Sequence, residues 1–496
     1  MLPKEDIHTE YKEAQNGNVP RAIWETISAF ANTDGGTIML GVHENQKLRE
    51  FTVLGVNDAD KMVTDILNTQ KNGKLSEPVI IESNISIDKI EDKDVINIFI
   101  PKINFKRRPV YLDKDYHKAY VREKDSDRKV TDDELRMFLR ESDSDIDSDL
   151  LDNVNVEDFS ILDIRNYQAA LSKSTNDPSI AEQPILSFLQ SIGLANVDRS
   201  TPDRTIKFNK AAILLFGTYE AITYYFPNFF LDFIIQNDPT NPDYDSRIYT
   251  SDENDKPGNI YSFFTATWQR LSAQVSTKFD LDNNLIRRDD GDQLLRALRE
   301  ALVNSLIHAD YASKSQVKIT MHRDSVIFSN PGEMRVSTED FIIGGNSVAR
   351  NPKIFNAFVR AKLGEHTGSG GPRIFATSQQ LQLRRPDIEV TPASTKITIW
   401  TLPQIESILA EMPEEWHSTY LRITKLLSAS YKDLKDLYKN PYQGHKILDA
   451  MVESGVIHRK GEKKATIYLL PSDDPQMTRM MTDFMESIRK TVLLHK

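Results

Sequence analysis

The stretch LREALVNSLIHADY, residues 298–311, consists mostly of good helix formers but carries three evenly spaced polar side chains. Glu300, Asn304 and His308 are four residues apart, and at about 3.6 residues per turn they share one face of a helix. A second face carries the leucines Leu295, Leu298, Leu302 and Leu306. The polar face is either the solvated side of an amphipathic helix or a set of ligand contacts, and the spacing alone favours the solvated side.

The composition is that of a globular protein. Of 496 residues, 39% are hydrophobic and 27% charged, and the chain is long enough for about three domains. No apolar run approaches a membrane span, and MLPKEDIHTEYKE is charged where a signal peptide is apolar. The absence of cysteine excludes disulfides and thiolate metal sites, and we expect a cytoplasmic protein without a membrane segment. The net charge of −11 restricts any nucleic-acid site to a local basic patch.

An acidic stretch divides the chain. ESDSDIDSDLLDNVNVED, residues 141–158, holds eight acidic and no basic residues, which predicts an exposed connector. The predicted fold class is a multidomain α/β (α+β) protein. We expect an amino-terminal domain, the acidic linker, an intermediate α/β region, a second α/β domain, a helical domain and a final helix, at residues 1–140, 141–158, 159–289, 290–403, 404–473 and 474–496.

Short β-rich runs predict the strands. They are TIMLGV (37–42), VINIFI (95–100), AAILLFG (211–217), FFLDFII (229–235), VKITMHRDSVIFS (317–329) and TKITIWTL (395–402). A hairpin is expected around RPVYL (108–112) and KAYVRE (118–123). Residues 431–470 predict two helices and a basic loop into a strand, the order expected of a winged helix.

Three motifs follow the polar helix face: FSNPGEM (328–334), RNPKIF (350–355) and EHTGSGGPRI (365–374). Glycines let a backbone approach phosphate closely, and the start of a helix offers unpaired N–H donors. Each motif alone is a weak signal, because glycine loops usually only turn corners. Their order after Glu300 and Asn304 is much more specific, and it moves the interpretation of the polar face towards a ligand site.

This order resembles the GHKL ATP-binding superfamily, in the branch of bacterial transcriptional regulators and RecG-helicase-related proteins. The resemblance covers about residues 290–402. It implies a GHKL-like α/β sandwich that binds ATP and Mg²⁺. Slow ATP hydrolysis is an open expectation.

The resemblance also assigns roles to residues of this chain. Asn304 would hold Mg²⁺, and Glu300 would be the general base of an ATPase. Gly332 would lie under the base, and Asn330 stands where the superfamily has an adenine-reading Asp, which weakens the case for adenine. His308 is interpreted as a core or capping histidine. The phosphate cradle would consist of Gly368, Ser369, Gly370 and Gly371.

The first part of the chain carries a second set of motifs: Glu10-Tyr11-Lys12, AFANTDGG (29–36), Gly41-Val42, RPVYL and AYVRE. The set resembles the Schlafen AlbA-type domain over about residues 1–140, which implies nucleic-acid binding, with DNA favoured over RNA. Lysines and arginines interleave with tyrosines in this region, and cations can neutralise phosphate while aromatic rings stack on bases. The candidate contacts are Arg107, Arg108, Lys118 and Arg122. The alternative is a solvated hairpin with ordinary surface charge.

The Schlafen resemblance also raises a nuclease hypothesis. Glu5 and Glu10 match the spacing of two family carboxylates, and Glu44 follows Gly41-Val42 where the family has Asp. Three clustered carboxylates can bind a divalent metal and activate water. The alternative is that Glu10 pairs with Lys12 or an arginine while Glu5 is solvated.

The carboxyl-terminal part is rich in lysine and arginine. Lys460, Lys463 and Lys464 fall on the wing of the predicted winged helix, where they would contact phosphate. A protein-interaction module is the alternative.

Together these features favour an ATP-binding, nucleic-acid-binding transcription regulator. One alternative is an ATP-gated, metal-dependent nuclease that acts in antiviral defence. The other is an ATP-controlled assembly protein. Homo-oligomerisation fits each of them.

Overall fold

A computed structural model describes residues 8–14, 17–45, 50–123, 126–142, 146–200, 202–237, 243–281, 288–364, 368–402, 409, 412–426, 428–461 and 466–470. The chain divides into two compact units, Met1–Thr401 and Leu402–Lys496. Among the described helices, none combines the length and the apolar character needed to cross a membrane.

The head, as we name the part up to residue 141, contains a four-stranded sheet in the order β1-β2-β6-β5. Its strands and helices are β1 (Thr9–Lys12), α1 (Ile23–Asn32), β2 (Gly36–Leu40), β3 (Val42–Asn45), β4 (Glu50–Val53), α2 (Ala59–Thr69), β5 (Ile85–Ile90), β6 (Lys93–Ile100), β7 (Tyr120–Glu123), β8 (Ser126–Lys129) and α3 (Asp132–Glu141). β1 and β2 are parallel, whereas β2, β6 and β5 pair antiparallel.

The AFANTDGG motif fixes the head internally. Asn32, at the end of α1, is fully buried, and its side-chain amide donates to the carbonyls of Val110 and Tyr120 at 2.8 and 2.9 Å. The Val110 N–H donates to Asn32 Oδ1 at 2.7 Å. A buried amide with all these bonds satisfied holds the segment around residues 108–120 against α1. The hairpin in this region differs from the expectation: β7 pairs with β8, and RPVYL contributes only isolated bridges.

The rest of the first unit is built on a six-stranded sheet in the order β12-β11-β13-β14-β16-β15. The six strands of this sheet are β11 (Leu231–Ile235), β12 (Ser246–Tyr249), β13 (Val317–Met321), β14 (Ser325–Pro331), β15 (Asp387–Thr391) and β16 (Ser394–Trp400). The same region also contains β9 (Ala195–Val197) and β10 (Ile206–Phe208), which form a separate two-stranded sheet. Its helices are α4 (Ile161–Thr175), α5 (Ser179–Glu182), α6 (Ile185–Ser191), α7 (Lys210–Phe216), α8 (Tyr219–Tyr225), α9 (Ile260–Leu281), α10 (Arg288–Ile307), α11 (Thr338–Ile343), α12 (Pro352–Arg360) and α13 (Gly370–Gln380). β11 and β13 are parallel, and the other neighbours are antiparallel.

One hydrophobic core runs through this whole region, from Leu151 to Ile399. The intermediate region and the second α/β domain therefore share a sheet and a core. The prediction of a strand at AAILLFG was wrong. Residues 211–216 form most of α7 and are all buried, and a helix buried on every side has no polar face to reveal its period.

The acidic stretch was wrongly predicted to be exposed throughout. Glu141 and Asp147 are buried. Asp147 Oδ2 accepts hydrogen bonds from the N–H groups of Lys353 and Ile354 at 2.9 Å each. These N–H groups lie at the start of α12, where backbone donors lack partners within the helix.

The second unit contains α14 (Glu414–Leu426), β17 (Ser428–Ser430), α15 (Tyr431–Leu434), α16 (Pro441–Glu453), β18 (His458–Lys460) and β19 (Ile467–Leu469). Its strands form an antiparallel sheet in the order β17-β19-β18. The helices and the sheet enclose a small core that includes Ile423, Leu434, Leu448, Met451 and Ile457. The final helix predicted for 474–496 lies outside the described residues.

Candidate functional site

The polar face of α10 borders a cavity. Glu300 is buried there, whereas Asn304 and His308 are half-buried. The opposite face carries Leu298, Leu302 and Leu306 into the core. The four-residue spacing therefore places the carboxylate, the amide and the imidazole together at one concave site. This arrangement agrees with a set of ligand contacts better than with a solvated helix face.

The start of α13 forms the facing wall. Gly368, Gly370 and Gly371 line the cavity. A Cβ built on Gly370 would lie 2.6 Å from Glu300 Oε1 and 2.9 Å from Asn304 Nδ2. Only glycine leaves this space open, so α10 and α13 form a narrow cradle beside the first N–H groups of a helix. Such groups bind anions. Ser369 lies in a neighbouring cleft instead.

The end of β14 supplies the third wall. Asn330 lines the cavity and pairs with Thr395 of β16. Gly332 follows with φ at +98°, and a Cβ there would lie 2.5 Å from the Arg350 guanidinium carbon. Gly332 is absent from the described cavity lining. The resemblance placed Gly332 under the base of the nucleotide. In the structure, Gly332 instead lies against the Arg350 guanidinium.

The RNP motif holds the end of α10. Asn351 is buried and donates to the carbonyls of Ile307 and Ala309 at 3.0 and 2.8 Å. Arg350 donates to the His308 carbonyl. These bonds satisfy carbonyls that lack partners at a helix end, and they fix the position of the polar face.

His308 contributes a ring to the cavity wall. Its burial, with Arg350 and Arg335 nearby, lowers the pKa of the imidazole to about 3. The ring is therefore neutral at physiological pH, and one ring nitrogen can donate while the other accepts.

The cavity is narrow. It encloses about 80 Å³, whereas ligand pockets span roughly 300–1,000 Å³. Phe341 and Val348 form part of the wall, and the Gly345 N–H donates to the Gly368 carbonyl at 3.3 Å. Residues of the segment 341–348 therefore narrow one side of the cavity.

Glu333 joins the cavity to the head. Its carboxylate lines the cavity and accepts from Arg108 Nη1 and Lys102 Nζ, at 2.6 Å each. Arg108 also donates to the Asn32 carbonyl at 3.1 Å. Arg108 is buried, so its prediction as a nucleic-acid contact is corrected: its guanidinium binds a carboxylate of the cavity wall.

A second junction is centred on Glu141 at the end of α3. Arg335 Nε donates to Glu141 Oε2 at 2.9 Å, and Arg350 Nε donates to Oε1 at 2.7 Å. Arg335 lines the cavity, and its guanidinium lies 4.5 Å from the centre of the Phe105 ring of the head. Glu141, Glu333 and Arg335 were not predicted as functional residues from the sequence. Glu333 and Arg335 directly follow the NPG turn, which was the available signal, whereas Glu141 is hidden in an acidic run.

Arg122 is likewise corrected. Its side chain is buried and bonds to Glu10 at 2.8 Å and to Asp127 at 2.9 Å. Glu10 is buried and also pairs with Lys12. This is the ion-pair alternative considered for Glu10.

The remaining residues predicted to bind nucleic acid or to act in a nuclease do not gather at one described site. Glu44 lies in β3, whereas Glu5 falls outside the described residues. Within the described parts of the chain, no group of three His, Asp or Glu side chains is placed to hold a metal ion. Arg107 is partly exposed and bonds to Glu77, and Lys118 bonds to Asp113 at 3.0 Å. Lys460 is exposed in β18, and Lys463 and Lys464 lie outside the described residues.

Comparisons with known proteins cover most of the first unit. Residues 5–131 match the family described as "Schlafen, AlbA_2". Residues 135–232 match a "Domain of unknown function (DUF8451)", and residues 314–399 match the family described as "Putative ATP-dependent DNA helicase recG C-terminal". No curated protein matches the chain.

Similar solved structures include the DIP2311 protein from Corynebacterium diphtheriae, with 18% identity and a TM-score of 0.39 over 93% of this chain and 79% of that one. Another is the N-terminal domain of a "Putative ATP-dependent DNA Helicase RecG-related Protein" from Nitrosomonas europaea, with 26% identity and a TM-score of 0.20 over 25% of this chain and 82% of that one. By its matches, the chain contains a Schlafen AlbA_2 domain followed, in its second half, by a domain similar to the recG C-terminal family.

Proposed function

We propose that this protein binds ATP with Mg²⁺ in the cavity beside α10 and binds nucleic acid, DNA in preference to RNA, as a regulator. The observation that carries the nucleotide proposal is the meeting of Glu300 and Asn304 with the glycine-lined start of α13. The recG-type match over residues 314–399 and the Schlafen AlbA_2 match over residues 5–131 support the two binding activities.

The side chains suit a magnesium nucleotide. Asn304 offers an amide oxygen to Mg²⁺, and Glu300 offers a carboxylate that can take a proton from water. When bound, Mg²⁺ would neutralise charge on the phosphates. Backbone N–H groups of Gly370 and Gly371 would bind phosphate oxygens. The side-chain N–H of Asn330 donates a hydrogen bond to the Pro331 carbonyl at 3.3 Å. The side-chain oxygen Oδ1 would accept a hydrogen bond from the exocyclic amine of adenine.

We also propose that nucleotide binding acts on the head. Glu333 and Arg335 belong to the cavity wall and at the same time bond to Arg108 and Glu141. A ligand that displaces Glu333 or Arg335 would change the geometry of these ion pairs. Differential contact with two states is the requirement for a ligand to shift an equilibrium between them.

The nuclease alternative receives less support. Glu10 is engaged by Arg122 and Lys12, which leaves it poorly placed as a metal ligand.

In the second unit, the sequence of helix, strand, two helices and two strands is the order expected of a winged helix, and Lys460 would contact phosphate there.

Calorimetric titration of the full chain with ATP and Mg²⁺ tests the nucleotide site. We expect binding by the wild type, loss of binding in Asn304→Ala, and unchanged affinity in Asn97→Ala, a surface amide in β6. Normal affinity in Asn304→Ala would remove the metal assignment.

Incubation with labelled DNA and tRNA, with and without ATP, tests the second activity. A mobility shift without cleavage, different with and without ATP, is the expected result. Cleavage that depends on Glu10 would favour the nuclease. An absence of any salt-sensitive binding would favour the assembly protein.

A further inference from the structure

The head has a cleft of about 310 Å³, and of the nucleic-acid contacts predicted from the sequence it contains Lys118. Four cations border it: Arg21, Lys74, Lys118 and Lys129. They are distant in sequence and come from the turn before α1, the turn after α2, the segment before β7 and the end of β8. Trp24 and Tyr120, both largely buried, contribute aromatic surface to its lining.

Two carboxylates also line the cleft, and both are engaged. Asp113 accepts from Lys74 at 2.8 Å and from Lys118 at 3.0 Å, which lowers the pKa of its carboxyl. Glu25 accepts from the Tyr120 hydroxyl at 3.0 Å. Four cations against two carboxylates leave an excess of two positive charges. This local excess stands out in a chain whose net charge is −11.

Arg21 and Lys129 carry that excess. Both side chains are exposed, and neither forms an ion pair within the part of the chain that the structure describes. Exposed lysines continue beyond the cleft: Lys71 follows α2, and the side chain of Lys114 lies beside Gly73, 3.7 Å from a Cβ built there. The positive surface is therefore longer than one phosphate group.

We propose that this cleft is the surface through which the head contacts a nucleic-acid strand. Arg21 and Lys129 bind its phosphates, and Lys74 and Lys118 contribute further charge. Cations that line the cleft and continue beyond it, with aromatic side chains in the lining, suit a strand that carries a phosphate at each nucleotide. The inference rests on the proposed nucleic-acid binding and replaces Arg108 and Arg122, which are buried, with residues that are accessible.

Charge reversal tests the cleft. The full chain carrying Arg21→Glu and Lys129→Glu is compared with one carrying Lys61→Glu and Lys89→Glu, two exposed lysines of the head outside the cleft. Binding of fluorescent single-stranded and duplex oligonucleotides is measured by anisotropy over a series of salt concentrations. Inorganic phosphate and pyrophosphate serve as competitors, and ATP binding is measured in every variant.

We expect the cleft variant to lose affinity about tenfold or more, and the dependence of log K on log salt to flatten by about 0.7 per lost single-strand contact. The control should keep wild-type affinity, and ATP binding should be unchanged in both. If the wild type binds and both variants weaken equally, the cleft assignment is overturned while the proposed function stands. If the wild type binds no oligonucleotide, the proposed nucleic-acid function fails. If inorganic phosphate displaces the oligonucleotide when both are at the same concentration, the cleft is a site for a phosphate ion. That result would overturn the proposal that the cleft binds a nucleic-acid strand.

Discussion

Arg108 of the head donates to the carboxylate of Glu333, in the wall of the candidate nucleotide cavity, at 2.6 Å and across 225 residues of sequence. Both side chains are buried. Lys102 Nζ donates to the other oxygen of the Glu333 carboxylate at 2.6 Å. Glu333 thus links the cavity wall directly to the segment that Asn32 holds in the head.

Replacement of Glu333 by Ala should lower the free energy of unfolding by about 3–5 kcal/mol, because a buried guanidinium loses its partner. The exposed pair between Arg107 and Glu77 provides the control, since Glu77→Ala should cost less than about 1 kcal/mol. Urea denaturation of both variants measures the difference. Equal costs would show that the Arg108–Glu333 contact is as weak as a surface pair.

Gly332→Ala should destabilise the fold more than Gly345→Ala. Both residues have φ at +98°, which side-chain-bearing residues rarely adopt, so both substitutions strain the backbone. A Cβ at Gly332 would lie 2.5 Å from Arg350, whereas at Gly345 it meets nothing within 4 Å. We expect about 1–2 kcal/mol at Gly345 and about 1–3 kcal/mol more at Gly332. Thermal and urea unfolding measure this, and similar losses would argue against close packing on Arg350.

Gly370→Ala should reduce ATP affinity without unfolding the protein. The added methyl group would lie 2.6 Å from Glu300 Oε1 and 2.9 Å from Asn304 Nδ2, so both side chains would have to shift within the proposed phosphate site. Calorimetry should show about a tenfold loss or more, which corresponds to about 1.4 kcal/mol. Gly258→Ala is the matched control, because the nearest atom to its added Cβ is 3.5 Å away. Unaltered binding in Gly370→Ala would place the phosphates elsewhere.

Asp147 should make stability depend on pH. Burial raises the pKa of its carboxyl to about 6, despite hydrogen bonds from Ile354 and Lys353. The folded state thus keeps a proton that the unfolded state releases near pH 4, so this contribution is full below about pH 4 and is lost as pH rises to about 6. Asp147→Asn keeps an acceptor but removes the titration.

We therefore expect Asp147→Asn to gain about 2–3 kcal/mol relative to the wild type between pH 4 and pH 8. Unfolding of both proteins in urea across this range measures the gain. A difference between them that stays constant with pH would contradict the assignment.

The local parts of the site could be predicted from the sequence. The four-residue spacing of Glu300, Asn304 and His308 set the polar face of α10, because helix geometry is a property of neighbouring residues. The glycines before α13 and the turn after β14 were visible for the same reason. AAILLF could not be assigned to a helix, because complete burial removes the periodic contrast between faces.

Which charged side chains are exposed and which are buried with a partner becomes visible only in the folded chain. Arg108 and Arg122 look like surface cations in the sequence, and Glu141 and Asp147 look like parts of a solvated linker, yet all four are buried. Each of the four has a partner far away in the chain, such as Arg350, 209 residues after Glu141. A buried charge is tolerated only where folding supplies a partner, and a linear pattern of residues does not reveal a partner that the fold brings in from elsewhere.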